Sequence, residues 1–155
     1  MPVPNFDLAQ AHRFFAVECN NQAWDWLESG ERTAEKFAWA IHTAHASCFH
    51  WSQIGKPVNN LRAACLLANV YAAAGQGSSA KLAAEEALKL CETCGDAALD
   101  WDWAFARDAL ARAVLACGNR TEAEVLRREA AVCGEAIADV EDRRPFESWF
   151  ARWEA

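Results

Sequence analysis

Proline and glycine are scarce, four and seven in 155 residues, and most of them fall between apolar-periodic stretches rather than inside them. That is the punctuation of a helical protein, and no segment reads as strand. Long hydrophobic runs are missing too: nowhere do about 18 uncharged apolar residues follow one another, so no membrane span is expected. The N-terminal Met1 to Asp7 lacks a basic region leading into an apolar run, so no export signal is expected either. Basic residues are in deficit, 15 Lys and Arg against 22 Asp and Glu, for a net charge of -7. An acidic surface gains no counterion release from a polyanion, so neither nucleic acid nor an anionic membrane is expected as a partner. No glycine-rich phosphate loop, nucleophile elbow or spaced carboxylate motif occurs, which leaves enzymatic activity without support from any motif.

What the chain does have is apolar mass: 53% of its residues are hydrophobic, enough for one domain over 1–155 to bury a core without disulfides or metal. The seven cysteines are an odd number, and five sit inside helical periodic segments where a small buried hydrophobe would serve. Such usage suits a reducing compartment and predicts a cytoplasmic protein. Eight tryptophans imply either a strongly aromatic core or an aromatic surface that meets something.

Helical periodicity runs from Phe6 to Leu27 and should stop at Ser29-Gly30, where glycine supplies a left-handed cap. Thr33 caps a second run that ends at Gly55 ahead of Pro57. A third spans about Val58 to Ala74, and Ser78 or Ser79 caps a fourth ending at Cys94-Gly95. A fifth covers about Leu99 to Cys117, Thr121 caps a sixth reaching about Val140, and Arg143 to Trp153 forms a short seventh. These pair into hairpins over about 5–55, 57–95 and 99–140, followed by a C-terminal cap at 143–155.

The hairpins repeat, since Gly30, Gly75 and Gly118 are 45 and 43 residues apart. The segment Leu67-Ala68-x-x-Tyr71-x-x-x-Gly75, followed by Ala80, Ala84 and Ala87-Leu88, resembles the tetratricopeptide repeat, a unit of about 34 residues, at nearly every signature position. Leu110-Ala111-x-x-Val114-x-x-x-Gly118 with Ala123 and Ala130 resembles it as well. The first hairpin fits at Ala23, Trp26 and Gly30 but departs at Trp39 and His42, where small or medium apolar residues are expected. The strings Trp24-Asp25-Trp26-Leu27-Glu28, Ala44-His45-Ala46-Ser47 with His50-Trp51, and Asp100-Trp101-Asp102 are similar to a group of bacterial tetratricopeptide-like proteins, a likeness that implies no activity. The resemblance implies an all-α fold, a TPR-like αα-superhelix of about three antiparallel helix hairpins closed by a short capping helix.

It also implies a concave face, lined by the first helix of each pair, that binds a protein or peptide partner without chemistry or cofactor. Carrying the repeat register across places Asn20, Trp24 and Glu28, then Arg62, Cys65 and Asn69, then Asp108 and Arg112, on that face. In tetratricopeptide domains that bind a C-terminal carboxylate, basic and asparagine side chains clamp the anion, and Arg62 and Asn69 stand in comparable places. A full clamp cannot be assembled here, and Glu28 and Asp108 bring negative charge to the same groove. The bland reading is that all of these are solvated side chains.

The histidines offer an alternative. His42 and His45 share a face of the second helix, His50 lies about 80° around its axis, and Glu18 could approach from the preceding helix. Imidazoles with a carboxylate suit a divalent transition metal, in a metal-binding or small-molecule-processing protein. In repeat register, however, His42 and His45 point inward as core histidines. Cys91-Glu92-Thr93-Cys94 sits at a helix C-terminus, the wrong end for a redox pair. With Cys48 and Cys133, those two cysteines could form a thiol-rich patch. Finally, Phe146, Trp149, Phe150 and Trp153 make an aromatic stripe that must be covered, either as a lid on the last hairpin or by docking on a second subunit in a homo-oligomer.

Overall fold

A computed structural model describes residues 6–30 and 32–153. Residue 5, where the first hairpin was expected to begin, and the last two residues of the expected cap lie outside the described residues. Among the described residues there is no strand and there are seven α-helices: α1 (Leu8–Ser29), α2 (Ala34–Ile54), α3 (Pro57–Ala73), α4 (Gly77–Cys94), α5 (Asp100–Ala116), α6 (Arg120–Glu135) and α7 (Val140–Phe150). None of them is long and apolar enough to cross a membrane.

The helix ends follow from local chemistry. The Asp7 carboxylate accepts from the Ala9 and Gln10 N–H groups, the Thr33 hydroxyl from Lys36 and the Asp139 side chain from Glu141, so each satisfies donors that the first helical turn leaves orphaned. Gly30 ends α1 in the left-handed region at φ 73°, which a side chain would disfavour. Both ends of α6 differ from expectation, and α7 begins at Val140 rather than at the expected Arg143. Asn119, not Thr121, caps α6, because its side chain reaches the Glu122 N–H. Instead of running to about Val140, α6 stops at Glu135. Ile137 then turns fully inward, and the turn is held by Ala138 N–H donating to Asp100 Oδ2 (2.8 Å) and by Arg143 Nε donating to the Ile137 carbonyl (3.0 Å).

The start of α4 also differs: Gln76, not Ser78 or Ser79, is at the cap position, and Gly77 opens the helix in a tight space. A Cβ on Gly77 would lie 2.6 Å from the backbone carbon of Ala116 and from the Cys117 nitrogen, so α4 begins in direct contact with the end of α5. Gly77→Ala should therefore force two helix termini apart and lower stability by about 1–3 kcal/mol. Chemical denaturation against the parent protein checks this, and an unchanged midpoint would refute the close approach.

Successive helices pack as hairpins, α1 on α2, α3 on α4 and α5 on α6, and α3 touches both α1 and α5. Alanines allow this closeness: Ala68, Ala80, Ala84, Ala87, Ala106, Ala109 and Ala113 are fully buried between α3, α4 and α5. A second cluster joins Ala23, Trp26, Leu27, Ala40, Ala44, Leu66 and Val70 of the first three helices to Trp149 of α7. In α2 the buried stripe is Ala40, Thr43, Ala44 and Ser47, so His42 and His45, expected to pack inward, stand exposed on its other side, as does Trp39.

Candidate binding cleft

With α1, α3 and α5 side by side, residues four apart on each helix form parallel rows on one face. Helix α7 does not merely cover the end of the last hairpin. It lies along this face, where Trp149 packs edge-on to Trp24 at 5.1 Å, in the same cluster as Trp26 and Leu27. The aromatic stripe expected to need a cover is thus covered within the chain at Phe146 and Trp149, 2% and 7% exposed.

The contact that seats α7 is centred on Asp108, whose carboxylate is fully buried. Oδ2 accepts from Arg112 Nε (2.7 Å) and from the Trp149 indole N–H (2.9 Å), and Oδ1 accepts from the Trp153 indole N–H (2.6 Å). Arg112 completes the arrangement by donating to the Trp149 carbonyl (3.1 Å) while its guanidinium sits 4.4 and 5.1 Å from the ring centres of Trp149 and Trp153. A buried carboxylate is tolerable only when paired and hydrogen-bonded, and here both conditions hold. Arg152 adds a tie to α1 through the Glu28 carbonyl (2.8 Å).

Beyond this plug the face remains open as a cleft of about 360 Å3 between α1, α3, α5 and α7. Trp24, Trp101, Phe105 and Trp149 form aromatic walls, with Leu61 and Cys65 beneath and Pro145 at the α7 edge. Arg62 enters it already engaged: Nε and Nη2 donate to the two oxygens of Asp102 at 2.9 and 3.1 Å, and the guanidinium lies 4.3 Å from the centre of the Trp101 ring. Asp102 is buried and also accepts from the Leu99 N–H, capping α5. Glu28 and Asp142 stand at the rim, exposed, and their carboxylates make no hydrogen bond or ion pair among the described residues. Burial, with Asp108 nearby, pushes the Cys65 thiol well above the usual thiol range, so it stays protonated as part of the floor.

Four of the residues expected on the face, Asn20, Trp24, Glu28 and Arg62, converge on this cleft together with Cys65. Asp108 and Arg112 are turned to each other and to α7 instead. Asn69 is buried deeper along α3, donating to the Cys65 carbonyl (3.0 Å), and its Oδ1 has no partner among the described residues. Asn69 and Arg112 line a second, wider hollow of about 740 Å3 toward the α1–α2 turn. Trp101, Asp102, Phe105, Asp142, Pro145 and Trp149 were not foreseen on the site. Phe105 carried a usable signal, because the 43-residue offset from Gly75 to Gly118 sets it in register with Arg62.

The alternative metal set is not brought together. Glu18 accepts from Gln22 Nε2 (2.7 Å), His42 is exposed, His45 Nε2 pairs with the Tyr71 hydroxyl (2.7 Å), and His50 Nδ1 pairs with His12 Nδ1 (2.8 Å). Desolvation first and the neighbouring His12 second push His50 below the usual imidazole value. Among the described residues no three His, Cys, Asp or Glu side chains are grouped to hold a metal ion. Nor does the thiol patch form. Cys133 packs with Ile137 and Phe146, Cys48 donates to the Ala63 carbonyl, and Cys91 and Cys94 join the α3–α5 cluster. Burial raises Cys48 to about 11, and burial followed by the charge of Asp102 raises Cys91 to about 12, values that leave neither thiol nucleophilic at neutral pH.

No protein-family profile matches the chain, and neither a curated protein nor a solved structure is significantly similar to it.

Proposed function

We propose that this is a non-enzymatic binding protein, a TPR-like superhelix that holds a peptide or protein segment against the face of α1, α3 and α5. One side chain of that segment enters the cleft at Trp24. The carrying observation is the cleft itself: beside the part of the face that α7 covers, the space walled by Trp24, Trp101, Phe105 and Trp149 stays open, and its walls combine apolar area with a few fixed polar groups. Absence of catalytic motifs and of any nucleophilic thiol among the shifted cysteines favours binding over chemistry. All seven cysteines are unpaired, in keeping with a cytoplasmic setting.

The test is a positional-scanning peptide library titrated against the protein, with the tryptophan indole N–H resonances as reporters. A binding sequence should shift the Trp24 and Trp101 signals saturably, and Trp24→Ala should weaken it by at least about tenfold, as loss of an aromatic anchor does. Peptides that bind equally well to Trp24→Ala, or that shift only resonances outside the cleft, would remove the assignment.

A further inference from the structure

The cleft has a charge and a surface chemistry that specify what it takes, provided that it is the ligand site. We propose that its occupant is the guanidinium group of an arginine side chain carried by the partner segment. Three carboxylates, Glu28, Asp102 and Asp142, face the cleft against a single cation, Arg62. The Arg62 charge is offset by the two-point pair with Asp102, so the field left in the cleft is that of Glu28 and Asp142.

The same molecule shows how it treats indole faces beside carboxylates. At one site on this face Arg62 stacks on Trp101 and is held by Asp102. At the next, Arg112 lies between Trp149 and Trp153 and is held by Asp108. Trp24, with Glu28 one helical turn along α1 and Asp142 across on α7, offers the third such combination, and no described cation lies over its ring. A planar guanidinium can stack on the indole and donate to both carboxylates at once, whereas an ammonium is a strongly hydrated point charge and gains less from such walls. An anionic side chain would meet both rim carboxylates, and a neutral one would leave them unpaired in a partly desolvated cleft. The volume, about 360 Å3, is enough for one long side chain and not for a folded element.

The experiment titrates acetyl-Gly-Arg-Gly-amide, and the peptides with Lys, Gln or Glu at the centre, into the full chain while the Trp24 and Trp101 indole resonances are followed. The arginine peptide is expected to bind about tenfold more tightly than the glutamine peptide and more tightly than the lysine peptide. In the double variant Glu28→Gln, Asp142→Asn that advantage should fall below about threefold, with the melting temperature unchanged, because both carboxylates are exposed and have no partner among the described residues. Equal binding of arginine and glutamine peptides at the cleft, or tighter binding of lysine or glutamate, overturns the guanidinium assignment and leaves the cleft as a peptide site. If all four peptides, and every library sequence, leave the cleft resonances unmoved, the binding reading falls with it.

Discussion

Asp108→Ala is expected to lower the free energy of unfolding by about 3–5 kcal/mol, the range for breaking a buried ion pair from one side. The size follows from what one carboxylate does. It neutralises Arg112, whose side chain is only 14% exposed, and it accepts the indole N–H of two tryptophans, the buried Trp149 and the half-buried Trp153. Removing it leaves a nearly buried guanidinium and two orphaned donors together. Asp108→Asn keeps the shape and one acceptor oxygen but places an amide donor against donors, so it should fall between the parent and the alanine variant. Urea unfolding followed by circular dichroism measures all three, and an Asp108→Ala loss below about 1 kcal/mol would mean that the carboxylate does not hold α7.

Trp149→Ala should have an effect of the same order, about 3–5 kcal/mol, for a different reason. Trp149 belongs to the cluster formed by α1, α2 and α3, packs edge-on to Trp24 and carries Arg112 on its ring, so truncation opens a cavity that spans three helices. Because this change and Asp108→Ala delete one shared contact, the double variant should be less destabilised than the two losses added, by about 0.5–3 kcal/mol. Strict additivity would show that the indole and the carboxylate act separately. The peptide titrations give the same variant a second readout, since loss of a cleft wall weakens binding even where the remaining protein is folded.

The difference between these residues and the helix ends shows what could be read from the chain and what could not. Thr33, Gly30 and Pro57 act within one turn of themselves, so their effect is written in adjacent letters, and α1 to α5 lie within two residues of their expected limits. The buried alanines at 68, 80, 84 and 87 were likewise legible, because they stand at the small-residue positions of the repeat pattern that the second hairpin resembles. Asp108 was not. On its own helix it is an acid among alternating polar and apolar residues, and it reads as solvated. Its burial is made by indoles 41 and 45 positions later. The stripe Phe146, Trp149, Phe150, Trp153 announced that it needed cover, yet nothing local says which surface supplies it. The inward placement expected of His42 and His45 failed for a related reason: α2 turns Ala40, Thr43, Ala44 and Ser47 inward, and the helices it packs on, α1 and α3, are not adjacent letters.

A row of hairpins in which each touches only its neighbours has two loose ends, and such a row comes apart by fraying from either one. In this chain the last helix is not a loose end. Through Trp149 against Trp24 and Arg152 on the Glu28 carbonyl it reaches back to the first helix, 124 residues earlier in the case of the arginine, and so turns an open row into a closed loop of contacts. The first hairpin cannot then peel away without breaking the Trp149 and Arg152 contacts, nor α7 without breaking the Asp108 knot, so the three hairpins are expected to melt as one cooperative unit rather than in succession.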